Sequence, residues 1–224
     1  MYKVETHVHT SEVSGCARLT AEEQIRQYAR EGFSTVFISD HFAYKRVASF
    51  DEGSWDGCID RFMLGYKMAK AEGEKLGINV LFAAELNFPA NPNHYLLYGD
   101  CETFLRNNEE AVKYGVEAFS KAAREQGLFV VQAHPYRDGS SFPHPDYVDG
   151  FEVINSSPRH ENYDEKSIAT AEEYGKYQIA GSDSHRDEDV AGAGVLSPRE
   201  IKTSEDFIAL IKSGEHKLYR RNDA

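Results

Sequence analysis

Short apolar, β-branched runs alternate with amphipathic stretches along the whole chain, and most of the apolar runs close on a histidine or an acid. Residues 4–9, 35–39, 79–84, 128–133, 150–154 and 177–180 read as strands, with shorter ones at 94–99 and 192–196. Between them the period is helical. Thr20 with Glu23 opens a helix that Gly32 ends, and 55–76 stops at Gly77. The stretch 109–126 stops at Gly127, 164–174 at Gly175, and 205–212, capped by Ser204, at Gly214. Residues 42–56 show no clean period and are expected to form a loop over a site. Such alternation implies a mostly parallel sheet with helices outside it. A single barrel fits better than an open sheet, because a ring of strands would bring all the polar strand ends to one mouth.

The 224 residues suit one domain over 1–224. No apolar run approaches the roughly 18 residues a membrane span needs, and no basic segment followed by an apolar one opens the chain. The expectation is a soluble, cytoplasmic protein. Cys16, Cys58 and Cys101 are odd in number and scattered, unlike a disulfide framework. With 37 acids against 25 Lys and Arg, the net charge of −12 disfavours nucleic acid and favours small substrates.

His7 and His9, two apart in a strand, project from one face. Asp183 and His185 repeat that spacing. In Asp40-His41 the neighbours point apart, so His41 is read as a ligand and Asp40 as its support. Glu85, His94 and His134 stand singly at other strand ends. Six of the nine histidines thus fall at strand ends, while His144, His160 and His216 read as solvated loop residues. Mixed imidazole and carboxylate donors suit zinc, manganese or iron better than magnesium or calcium. Arg159 and Arg186, in loops after strands, are candidate phosphate clamps because the guanidinium fork matches phosphate.

In this order the motifs resemble the PHP (polymerase and histidinol phosphatase) domain: an early HxH, a strand ending in Asp-His, a lone Glu, a lone His, a His-Pro and a late DxH. The resemblance spans His7 to Asp189. It implies a distorted (β/α)7 TIM-like barrel with two or three divalent metal ions at the strand C-terminal ends. It further implies hydrolysis of a phosphoester by a hydroxide that the metals activate. Carried over, the metal ligands are His7, His9, His41, Glu85, His94, His134, Asp183 and His185. Relatives often carry an Asp shortly after HxHT, where this chain has Ser14. Glu12 is expected to complete the set, with Cys16 a second candidate. Asp40, Asp183 and His185 are the expected catalytic residues, and a small phosphorylated metabolite is the expected substrate, histidinol phosphate among them. The alternatives are an amidohydrolase-type metal hydrolase, which also opens with HxH, and a weakly active metal-binding accessory module. The first lacks a strand-end lysine here, and the near-complete ligand set argues against the second.

Overall fold

The computed structural model describes residues 1–50 and 52–221; Asp51, inside the segment expected to be a loop, lies outside the described residues. The strands are β1 (Tyr2–Val8), β2 (Phe33–Ile38), β3 (His41–Ala43), β4 (Asn79–Phe82), β5 (Ala84–Asn87) and β6 (His94–Tyr98). They continue with β7 (Phe129–Ala133), β8 (Gly150–Asn155), β9 (Tyr177–Gly181), β10 (Ala193–Ser197) and β11 (Lys217–Arg220). They form two sheets, a five-stranded one in the order β11-β10-β1-β2-β4 and a six-stranded one in the order β3-β5-β6-β7-β8-β9. Among the described residues no sheet closes on itself, so the expected single ring of strands is replaced by two sheets. The parallel reading holds for β1-β2-β4, β3-β5 and β7-β8-β9, whereas β6 and β10 run antiparallel to their neighbours.

Two seams join the sheets and put the polar strand ends together. On one side the chain passes from β2 into β3 through Ser39-Asp40, and from β4 into β5 through Ala83. On the other, Val8 at the end of β1 bridges Ser184 just beyond β9. The His9 amide donates to the Ser184 carbonyl at 3.0 Å and the Ser184 amide to the His7 carbonyl at 3.2 Å. This pairing sets His7 and His9 beside Asp183 and His185.

Along β1, alternation puts Glu5 and His7 on one face, with Val4, Thr6 and Val8 on the other. Val4 packs with Phe37, Tyr98 and Phe207 and Val8 with Ile25 and Ile38, in separate buried clusters. The helix Ala21–Arg30 starts at a Thr20/Glu23 capping box and buries Ile25 and Tyr28. The final helix Ser204–Ser213 is capped by Thr203 with Asp206, one residue earlier than the sequence suggests, and buries Phe207, Leu210 and Ile211. The stretch read as a loop at 42–56 begins with β3 and a short helix, Tyr44–Ala48. The helix expected over 55–76 divides at Met63 into Trp55–Phe62 and Leu64–Leu76. That over 109–126 divides at Gly115, whose φ of 120° no other residue type adopts easily.

Candidate metal centre

Glu85 lies at the centre of the converging strand ends, buried on β5. One of its oxygens is 2.5 Å from His41 Nδ1; the other is 3.0 Å from His94 Nδ1, 3.2 Å from His134 Nε2 and 3.4 Å from His7 Nε2. Asp183 is the second hub, with Oδ1 3.1 Å from His9 Nε2 and 3.4 Å from both His7 Nε2 and His185 Nδ1. His41 Nε2 and His185 Nε2 are 3.4 Å apart. Eight of the nine expected ligands therefore share one cluster. His94 arrives by a different route from the one expected: it opens the antiparallel β6, in register with Asn87 and Ala133, so its N-terminal end meets the same mouth.

Glu12 is not in the cluster. Its carboxylate accepts the Ala21 amide at 3.0 Å, at the start of the helix Ala21–Arg30. Cys16 instead lines the same cleft as His41 and His185. Burial works against its thiolate, but the neighbouring His185 and His41 imidazoles bring the thiol down to about 6. Asp40 sits behind the cluster rather than in the cleft, accepting from the Thr10 amide and hydroxyl, both at 2.7 Å, and from Ser14 Oγ at 2.6 Å. Burial raises it to about 6. Ser14, where a carboxylate was looked for, thus links Asp40 to His9 Nδ1 at 3.3 Å.

Three buried carboxylates absent from the expected site support it. Glu152, within β8, takes His7 Nδ1 at 2.8 Å, the His134 amide at 3.1 Å and Asn155 Nδ2 at 2.8 Å, which leaves His7 Nε2 for the cluster. Glu5 accepts the amides of Thr6, His7 and Ser182 and the Ser182 hydroxyl, and burial pushes it up to about 7. Asp189 accepts the amides of His185 and Arg186 and pairs with Arg159. An acid inside an apolar strand, as at Glu5 and Glu152, signals a buried partner even from sequence.

The electrostatics are those of a cation site. Burial pushes Glu85 and Asp183 up, yet both are held well below the carboxylate range, Glu85 by His94, His41 and His7 and Asp183 by His7 and Arg137. Burial lowers His9, and its neighbours His41 and His185 lower it further. His7 Nε2 and His9 Nε2 are buried without a directed hydrogen bond, although carboxylate oxygens stand 3.1–3.6 Å away. Buried polar atoms left this way call for another partner, and a divalent cation fits imidazole nitrogen and carboxylate oxygen alike. His134 and Asp183 have positive φ, 31° and 52°, a backbone cost that clusters at functional sites.

Above the cluster a cleft of about 510 Å³ is floored by His41, His94, His134, Asp183 and His185. Arg137, Arg159 and Arg186 line it as well. Both expected phosphate clamps thus reach the cleft, Arg159 tied to Asp189 and Arg186 3.9 Å from Glu188. Arg137, not singled out from sequence, is closer to the chemistry, with Nη2 2.7 Å from Asp183 Oδ2 and 2.8 Å from Asn155 Oδ1. Its signal was its place three residues past His134, in the same strand-end loop.

Residues 161–216 match the PHP-associated family model. No curated protein matches the chain. Among solved structures, the chain is similar to a two-domain protein from Bacteroides vulgatus containing a predicted PHP-like metal-dependent phosphoesterase. The TM-score is 0.71 at 16% identity, over 98% of this chain and 64% of that one, so the chain spans less than two thirds of that protein. It is similar to PsfC from Pseudomonas syringae, with TM-score 0.67 and 17% identity over 98% of this chain and 91% of that one. It is also similar to an amidohydrolase from Chromobacterium violaceum with bound sulfate, with TM-score 0.61 and 15% identity over 99% and 100% of the two chains.

Proposed function

We propose, for a chain that carries a PHP-associated segment on a PHP-like fold, that it is a metal-dependent phosphoesterase acting on a small phosphorylated metabolite. The observation that carries this reading is the pairing of a buried His/Glu/Asp cluster, in which His7 Nε2 and His9 Nε2 lack a directed hydrogen bond, with an arginine-lined cleft directly above it.

Three groups of the cluster qualify by geometry to hold an ion: His7 with His9 and Glu85, His41 with Glu85 and His94, and His9 with His41 and His185. Zinc, manganese or iron suits these donors, and two or three ions fit the overlap of the groups. When bound, such ions polarise a phosphoryl oxygen and make water a nucleophile near neutral pH. The protein's own part is to orient and to neutralise. Glu152 and Ser14 fix the faces that His7 and His9 turn to the centre. Arg137, Arg159 and Arg186 offset in one cleft the net charge of −12 that would repel a phosphate. Asp40, given its hydrogen bonds, serves as a support for His9 and His41 rather than as a group that meets substrate.

An amidohydrolase reading is second, since a protein of the same fold bears that name. The three cleft arginines favour the phosphoester. Protein purified without chelator should contain two or three divalent ions per chain and release nitrophenolate from p-nitrophenyl phosphate, and His9→Ala and Asp183→Ala should abolish both properties. Full hydrolysis by either variant would falsify the assigned centre. Turnover of amides with none of phosphate esters would favour the second reading.

A further inference from the structure

His160, read from sequence as a solvated loop residue, stands at the wall shared by two cavities. One is the cleft over the metal cluster; the other, of about 570 Å³, is lined by Ser157, Asn162, Lys166 and Arg220 among others. A phosphate ester seated on the cluster must direct its alcohol half out of the cleft. His160 lines both cavities, at the rim along which that half can leave.

The side chain is held there by a built arrangement. His160 Nδ1 is 2.7 Å from Asp138 Oδ2, and Nε2 makes no hydrogen bond among the described residues. Asp138 adopts φ 52°, a left-handed conformation in which Asp is one of the few tolerated side chains. Two reciprocal bonds hold it: the Asp138 amide donates to the Glu161 carbonyl at 2.8 Å, and the Glu161 amide donates to Asp138 Oδ1 at 3.0 Å. The loop after β7 and the loop after β8 are thereby joined at the carboxylate that orients the imidazole. The bond from His160 also holds Asp138 below its ordinary range, which keeps it a carboxylate. A carboxylate on Nδ1 fixes the tautomer, stabilises the imidazolium and leaves Nε2 as the proton donor.

We propose that His160, oriented by Asp138, is the general acid that protonates the leaving alcohol of the phosphoester. As water oxygen bonds to phosphorus and releases one of its protons to solvent, the bond from phosphorus to the ester oxygen breaks and its electron pair stays on that oxygen. The proton on His160 Nε2 passes to it, giving the free alcohol, and the neutral imidazole is reprotonated from solvent. The converging groups of the cluster are taken up by the ions under the proposed function, so the proton is assigned to a side chain outside them. The inference rests on the phosphoesterase reading.

The test is the dependence of kcat on the leaving group. The metal-loaded wild type, His160→Ala, His160→Gln and Asp138→Asn are assayed on p-nitrophenyl, phenyl and alkyl phosphates. Nitrophenolate leaves without help, whereas an alkoxide does not. The loss in kcat from His160→Ala should therefore grow along the series, to about 100-fold or more for the alkyl ester. Asp138→Asn should follow the same trend with a smaller loss. Metal content and thermal unfolding, measured on each variant, identify misfolding, and His160→Gln keeps the size of the side chain. An equal loss on every ester would make His160 a positioning residue, and no loss would make it a bystander; either overturns the assignment. If the wild type hydrolyses none of the esters, the phosphoesterase reading fails, and this assignment with it.

Discussion

Glu152 shows how one residue controls the chemistry of another. Its carboxylate accepts the hydrogen bond from His7 Nδ1 and holds the His134 amide and the Asn155 side chain, so that two candidate ligands depend on it. Glu152→Gln preserves shape but places an amide against groups that all donate. Loss of such an outer partner typically lowers metal affinity by about 10–100-fold. A competition titration against a chromophoric chelator should give that weakening for Glu152→Gln, with secondary structure unchanged; equal affinity would mean that His7 needs no orientation. The residues that converge on the candidate centre were legible where, as in His7/His9 and Asp183/His185, the two-residue period of a strand fixes which side chains share a face. Glu152 and Arg137 were less so, because a hydrogen bond to a histidine 145 residues away leaves no local period in the sequence.

The helix Leu64–Leu76 carries Gly65 at its start, buried against the loop that follows β1. A Cβ there would stand 2.0 Å from Thr10 Oγ1 and 2.7 Å from Asp40 Oδ2. Helix propensity alone predicts that Gly65→Ala stabilises by about 1 kcal/mol. The contact predicts the opposite, about 1–3 kcal/mol of destabilisation from overpacking, because Thr10 and Asp40 are locked together behind His9. Denaturant unfolding decides by the sign of the change. The close approach lies beside an element boundary the periodicity missed: one helix over 55–76 divides at Met63, two residues before Gly65. Capping was legible where the signal was local, as at Thr20/Glu23. The direction of β6 was not, since a five-residue strand reads alike in both senses and only pairing with β5 and β7 fixes it.

At the scale of the molecule, the alternation of strands and helices was readable, but whether the strands form one ring is decided by pairings between distant segments. The Val8–Ser184 bridge and the passages at Ser39-Asp40 and Ala83 set two sheets edge to edge, and the site occupies the place where they meet. That location has an energetic consequence. Folding brings Glu85, Asp183 and buried imidazoles from both sheets into one desolvated volume, a costly assembly without compensating charge. Ions that bind only the folded chain should therefore stabilise the whole molecule through the seam. At a free metal concentration about 100 times Kd the gain is about 2.7 kcal/mol for one site. For a domain of this size that corresponds to a rise in Tm of roughly 5–10 °C. Calorimetry of chelated protein titrated with zinc or manganese should show Tm climbing with metal concentration. Asp183→Ala, which removes a hub from the six-stranded side, should flatten that dependence. A Tm that ignores metal in the wild type would mean that the sheets hold together without regard to what occupies the cluster between them.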